Sequence, residues 1–330
     1  MLTYDELDNK SKEYLTKNFT TTVRTGYVKC KGYLFPNTFQ NFGDKIENME
    51  IRDDDIWVCT FPKSGTTWVQ EMTWCIANEL DFEAARENLM VRFPFLEFSS
   101  MRDSSKIKPE YATALPVSRR FLLDSVDEID KLTTRRFIKT HLPFELLPKK
   151  LRNFSTQAKI IYVVRNPRDT LISYYHHCKL IESFKGTLPE FVELFFDGNV
   201  PFGPYPEHVK GYLAHINNPN VLYLQYEEMK KDLRSVIHKT ADFIGKIISK
   251  DEADQLLDHL SFSSMKKNSA VNHESVVEAK KKHNLSVKDG HFMRRGIVGD
   301  WKEAIDATLF ERFEKWEREN LNGINFTYSV

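Results

Sequence analysis

The sequence predicts an α/β fold in one domain, a central and mostly parallel sheet flanked by helices. Three observations carry the prediction. Short apolar, β-branched runs alternate along the chain with longer helical patterns. No linker, repeat or low-complexity tract divides the 330 residues, a length that encloses a substantial core. Three of the four clearest strands stop against polar or charged runs, as in a doubly wound sheet whose ligands bind beyond the carboxyl ends of its strands.

The predicted strands cover 56–60, 136–140, 159–164 and 221–225, each short and rich in Ile, Val and aromatic residues. After the first, Trp68, Met72 and Ile76 recur every fourth position and predict a helix over about 66–79. After the third, Asn166-Pro167 supplies an N-cap and a proline at the first helical position, so a helix opens there. Residues 266–291 are polar and Lys-rich, with little apolar periodicity. They read as a long mobile loop, of the kind that serves as a lid.

Acidic and basic residues balance at 47 each. No global field therefore points to a nucleic acid or membrane partner, and any anion site must be built locally. The four cysteines (Cys30, Cys59, Cys75, Cys178) are scattered without metal spacing and read as reduced core residues. The first 22 residues are polar and charged, unlike a signal peptide, and no apolar run is long enough to span a bilayer. The expected location is the cytoplasm. Aromatics make up 13% of the chain, with 24 Phe. That content suits either a Phe-rich core or an aromatic-walled pocket.

Thr60-Phe61-Pro62-Lys63-Ser64-Gly65-Thr66-Thr67-Trp68 joins the first strand to its helix. A glycine for close approach, three hydroxyls, a helix N-terminus and a lysine together make an anion cradle. The plainer reading is an N-capped helix start. The GxxxxGK[ST] nucleotide loop does not fit: no glycine lies upstream, and Lys63 precedes Gly65 instead of following it. Phosphate binding survives that comparison; γ-phosphate hydrolysis does not. Lys139-Thr140-His141-Leu142-Pro143 closes the second strand. A single histidine is more often structural, but one at a strand end beside a lysine is a candidate general base. Arg165 ends the third strand and Ser173 lies two turns into the next helix, a pair able to grip one phosphate from two sides, although from these residues alone an exposed arginine and a mid-helix serine are the plainer reading. Asp169 between them reads as a helix N-terminal charge.

These segments, together with His291-Phe292-Met293-Arg294-Arg295-Gly296-Ile297-Val298-Gly299-Asp300-Trp301-Lys302, resemble in order the signatures of the cytosolic sulfotransferases, over about residues 54–316. Those enzymes move a sulfuryl group from 3′-phosphoadenosine-5′-phosphosulfate (PAPS) to a small acceptor and release 3′-phosphoadenosine-5′-phosphate (PAP). The resemblance implies that the loop is a phosphosulfate-binding loop. Ser64, Gly65, Thr66 and Thr67 would hold the 5′-phosphate, Lys63 the bridging oxygen, and Trp68 the adenine. His141 would take the acceptor proton and Lys139 would neutralise sulfuryl oxygens. Arg165, Ser173, Arg294, Arg295 and Gly296 would enclose the 3′-phosphate, with Tyr226 and Phe262 beside adenine. Acceptor contacts would come from Phe35, Phe95, His141 and His176, and no metal is implied.

Three departures qualify the resemblance. Leu260 stands where mammalian members often carry threonine near adenine. The family dimer signature keeps Lys302 and Glu311, but Asp306-Ala307 replaces its Thr-Val, so a homodimer by that route is doubtful. His176-His177 follows Tyr174-Tyr175, as in insect members. An insect branch that sulfates and then dehydrates an allylic alcohol is an alternative, although it carries arginine at the position of Lys63. A non-catalytic nucleotide-binding module and a P-loop kinase are weaker alternatives. The expected acceptor is apolar, such as a phenol, a sterol or another alcohol, or an amine.

Overall fold

The computed structural model describes residues 1–282 and 289–324. Three short antiparallel strands, β1 (Tyr4–Asp5), β2 (Tyr27–Cys30) and β3 (Tyr33–Pro36), form a small sheet near the N-terminus. The main sheet contains β4 (Ile56–Thr60), β5 (Phe137–Thr140), β6 (Lys159–Val164) and β7 (Val221–Gln225) in the order β5-β4-β6-β7. All three pairings are parallel, with Trp57 opposite Ile138 and Ile160, and Ile161 opposite Leu222.

Side chains alternate across the sheet with period two, which sorts its residues between two cores. Trp57, Cys59, Ile138, Ile160 and Tyr162 enter one core, together with Leu171, Ile172, Tyr174 and Cys178 of the helix Pro167–Leu180. Val58, Phe137, Ile161, Val163 and Leu222 enter the other, with Val69, Met72, Cys75 and Ile76 of the helix Thr66–Ala77. Both faces are thus covered by helices. The parallel direction brings Thr60, Thr140, Val164 and Gln225 to one edge of the sheet, where the loops of interest begin.

Three predicted strands have the observed bounds, and the fourth begins at Phe137 rather than Arg136. Arg136 is buried just ahead of the strand, its guanidinium bonded to Asp55 and Asp130. The loop predicted over 266–291 requires correction. It contains the helix Glu274–Lys282, and Val271, Val277 and Ala279 are buried. The lysine run that suggested a loop sits in the last helical turn, where the helix dipole favours cations. Part of that stretch, 283–288, lies outside the described residues. Asp306, which departs from the dimer signature, caps the helix Ala307–Asn320 by accepting from Leu309 N–H at 2.8 Å. Among the described residues no helix is long and apolar enough to cross a membrane.

Candidate active site

The strand-end loops surround a cavity of about 300 Å³. Lys63, Gly65, Thr66, Thr67, Trp68, Lys139, His141, Arg165, Ser173, Tyr226, Phe262, Arg294, Arg295 and Gly296 all line it. These are the sequence-predicted catalytic and cofactor-binding residues apart from Ser64, which is buried within the same loop.

The loop after β4 is built for close approach. Lys63 and Gly65 both take positive φ, 70° and 102°. Such a φ at lysine is a strained choice, of order 1 kcal/mol or more, in the turn that opens the helix Thr66–Ala77. A Cβ on Gly65 would stand 2.8 Å from the Tyr226 ring, so the ring closes the wall where glycine leaves room. The Ser64 hydroxyl is buried without a hydrogen-bond partner among the described residues, and so are Nε of Arg165 and Nε of Arg294. Buried donors normally find partners. Three orphans around one anion cradle fit a polyanionic ligand such as PAP.

The guanidinium of Arg165 lies over Tyr226 at 4.3 Å and donates to the carbonyl of Lys63 at 3.3 Å and to that of Ile297 at 3.0 Å. It thereby ties the first loop to the C-terminal segment. Asp169, read from sequence as a helix charge, also accepts from the N–H groups of Gly299 (2.8 Å) and Trp301 (3.2 Å). Arg294 pairs with Asp300. Arg295 lines the cavity but bonds to Glu303 at 2.6 Å. The indole N–H of Trp68 donates to the carbonyl of Leu260 at 3.0 Å, and Gly296 leaves space for the ring of Phe262.

Lys63 and Lys139 extend over aromatic rings, their ammonium nitrogens 4.2 Å from the centroid of Phe292 and 4.3 Å from that of Phe95. Burial, then the charges of Arg165, Lys139 and Arg294, push Lys63 down to about 7. Burial also pushes Lys139 down to about 8, against the opposing pull of Glu97 and Glu182. Cations held this way gain their full charge when an anion arrives.

His141 is positioned with more care than the sequence discloses. Its Nδ1 lies 2.8 Å from the carbonyl oxygen of Thr60. A carbonyl only accepts, so this partner assigns the ring proton to Nδ1 and leaves the lone pair on Nε2. Burial and the nearby Lys139 hold the imidazole well below its ordinary range, which keeps that lone pair available at neutral pH. Phe95 and Phe202 flank the ring edge-on at 5.3 and 5.4 Å. The backbone is fixed as well. Glu97 accepts from His141 N–H at 2.5 Å and from the Thr140 hydroxyl at 2.9 Å, while His208 and Tyr212 donate to the carbonyls of His141 and Leu142.

On the acceptor side the sequence reading needs revision. Phe95 lines the cavity, but Phe35 does not. It is fully buried, stacked on Phe39 at 4.1 Å and set edge-on against Phe202 at 5.6 Å, so Phe202 forms the wall and Phe35 backs it. His176 lies at an exposed position on the cavity, while His177 is less accessible and contacts Glu182 at 3.7 Å. Ser173, His177 and Leu180 fall on one helical face through their i, i+4, i+7 spacing and line the same cavity. Phe202, His177, Glu182, His273 and Glu97 were all missed. Two left a signal: Glu97 as an acid inside the apolar run Phe93-Pro-Phe-Leu-Glu-Phe98, and His177 as the second member of the His176-His177 pair.

No metal-ligand cluster was legible in the sequence, yet Glu71, Cys75 and His259 come within 4.8 Å of one another. Glu71 already accepts from Arg92 at 2.8 Å and contacts His259 at 2.7 Å. An arginine in that position opposes a cation, so the group is a buried ion pair.

Residues 53–325 match the family model of the sulfotransferase domain. The chain is 42% identical to luciferin sulfotransferase of Photinus pyralis over 87% of its length and 77% of that protein. It is 34% identical to sulfotransferase 1E1 of Homo sapiens, covering 88% and 91% of the two chains. The crystal structure of retinol dehydratase in a complex with retinol and PAP superposes with a TM-score of 0.88 at 32% identity, covering 99% and 98%. With the loop, the strand-end histidine and the basic C-terminal segment gathered on one cavity, these matches place the chain in the cytosolic sulfotransferase family, as an enzyme of that class.

Proposed function

We propose that this sulfotransferase moves the sulfuryl group of PAPS to a hydroxyl, or an amine, of a small apolar acceptor, with His141 as general base. The observation that carries the reading is the His141–Thr60 contact, which points to an unprotonated Nε2 in the cavity that also holds Lys63, Lys139 and the anion cradle. PAPS supplies the sulfuryl group, and PAP is the leaving group. As the acceptor oxygen attacks, His141 removes its proton, so the nucleophile gains charge only as the S–O bond forms. Lys63 meets the charge developing on the bridging oxygen, and Lys139 meets that on the sulfuryl oxygens. Ser64, Gly65, Thr66, Thr67 and Arg165 hold the phosphates, and Trp68, Tyr226 and Phe262 wall the base. Ser173, Arg294, Arg295 and Gly296 complete the far phosphate site.

Phe95 and Phe202 on either side of His141 support a flat or alicyclic acceptor, such as a phenol, a sterol or another alcohol. His141→Ala should abolish transfer of label from PAPS while calorimetric PAP binding persists; unchanged turnover would sink the assignment.

Structural likeness to retinol dehydratase favours a second reading, in which a sulfated allylic alcohol eliminates sulfate. Incubation with retinol and PAPS separates the two by product mass. A gain of sulfate supports the transferase, and a loss of water supports the dehydratase.

A further inference from the structure

The helix Pro167–Leu180, which presents Ser173 to the cavity, ends at a polar pair that the transfer chemistry leaves unused. His177 lies one turn beyond Ser173, and Glu182 follows just past the last helical turn; both line the cavity. Nε2 of His177 stands 3.7 Å from Oε1 of Glu182, and the two side chains keep 17% and 13% of their surface exposed. That gap is too long for a direct hydrogen bond, and one oxygen placed beside it can reach both atoms.

The neighbours fix what this pair can bind. Arg24, itself buried, pairs with the other oxygen of Glu182. Burial works to raise Glu182, but Arg24, His177 and Arg102 hold it well below the ordinary carboxylate range. It is therefore ionised and only accepts hydrogen bonds. Burial pushes His177 down to about 4 despite Glu182, with Lys63 and Lys139 acting in the same direction. The ring is thus neutral at pH 7 and carries one N–H. Nδ1 is sealed without a hydrogen-bond partner among the described residues, while the carboxylate beside Nε2 draws the proton to that side. A group entering the gap meets an N–H on one side and a carboxylate oxygen on the other. A hydroxyl satisfies both, its oxygen accepting from His177 and its hydrogen going to Glu182. An ether satisfies only His177, and a carboxylate is repelled by Glu182. An ammonium would join Arg24 and, across the Phe292 ring, Lys63, where positive charge is already in place.

We infer that the acceptor carries a second hydroxyl, received between His177 and Glu182 while the first faces His141. The inference rests on the transferase reading above and names the acceptor class within it: a dihydroxylated aromatic or alicyclic compound. The scale of the molecule follows from the packing. His177 stands edge-on to Phe292 at 5.9 Å, and the same ring carries the Lys63 ammonium at 4.2 Å. The second polar contact is thus one ring removed from the lysine assigned to the bridging oxygen. An acceptor with an ether at that place leaves Glu182 facing an oxygen that offers it no hydrogen, which is how a site of this kind discriminates.

The test uses matched acceptors with labelled PAPS: 2,3-dihydroxynaphthalene against 3-methoxy-2-naphthol, and 2,6-dihydroxynaphthalene against 6-methoxy-2-naphthol. Plain 2-naphthol controls for the bulk of the methyl group. The expected result is a kcat/KM per hydroxyl about tenfold or more higher for the diol than for its ether and for 2-naphthol in at least one pair, the scale of a hydrogen bond to a charged group. His177→Phe should bring the diol-to-ether ratio close to one, and His177→Gln, whose amide still donates and accepts, should keep part of it. A PAP-induced thermal shift in each variant establishes that it is folded. Diols turned over no better per hydroxyl than the ethers and 2-naphthol in both pairs would overturn the inference and leave the transferase reading standing. An unchanged ratio in folded His177→Phe would do the same. If neither the diols, the ethers nor 2-naphthol accepts label, the transferase reading itself falls, and this inference with it.

Discussion

Lys63 and Lys139 face the nucleotide loop with pKa values pushed down to about 7 and about 8. A polyanionic ligand returns both to full charge, so PAP binding must take up protons. At pH 8 the first lysine is about nine-tenths uncharged and the second about half. Charging both takes up between one and two protons and costs about 2 kcal/mol of binding free energy at that pH. Between pH 7 and pH 9, above the phosphate titration near 6, PAP should weaken by about tenfold or more.

Calorimetry in buffers of different ionisation enthalpy reads the proton count directly. Lys63→Met should reduce uptake at pH 8 to about half a proton, the share left to Lys139. The ligand-free protein offers a control of opposite sign. Both lysines have folded values below the ordinary 10.5, so the unfolded chain binds more protons from about pH 7 upward. Their contribution to folding stability therefore rises with pH over the window in which PAP affinity falls. A Kd that stays flat from pH 7 to 9, with no proton uptake at pH 8, would refute the reasoning.

Gly65→Ala places a Cβ at φ 102° against Tyr226, and PAP affinity by titration should fall by about tenfold or more while the fold survives. Glu97 is pushed up to about 7, chiefly by burial. Its effect on stability is fully favourable below the ordinary 4.5 and is lost as pH rises through 7, by up to about 3 kcal/mol. Glu97→Gln should remove that component, so the difference in Tm between variant and parent should favour the variant progressively from pH 5 to 7. Asp169→Asn weakens the charge-assisted anchor of Gly299 and Trp301. About 2 kcal/mol lost there predicts roughly 30-fold weaker PAP binding and faster proteolysis near 289–301.

The two ends of the site were unequally legible in the sequence, and the reason is physical. An anion needs backbone N–H groups, hydroxyls and cations converging from a strand end, and a parallel sheet supplies each set from one contiguous segment. Thr60–Trp68, Lys139–Pro143 and Arg165–Ser173 could therefore be found by reading along the chain, and all lie at one sheet edge. The acceptor wall is assembled differently. Phe202, His177, Arg102 and Lys280 each come from a different segment, and what joins them is packing, which leaves no periodicity behind. Phe35 illustrates the cost: an aromatic beside a short strand looks like a wall, but its stack on Phe39 buries it and hands the surface to Phe202. The strands Tyr4–Asp5, Tyr27–Cys30 and Tyr33–Pro36 escaped for a related reason, being too short for alternation to register. Lys280 shows the same limit in a charge. In sequence it is one of three consecutive lysines and reads as solvated surface. In the fold it is only 8% exposed, in the last turn of a helix whose other buried residues are Val277 and Ala279.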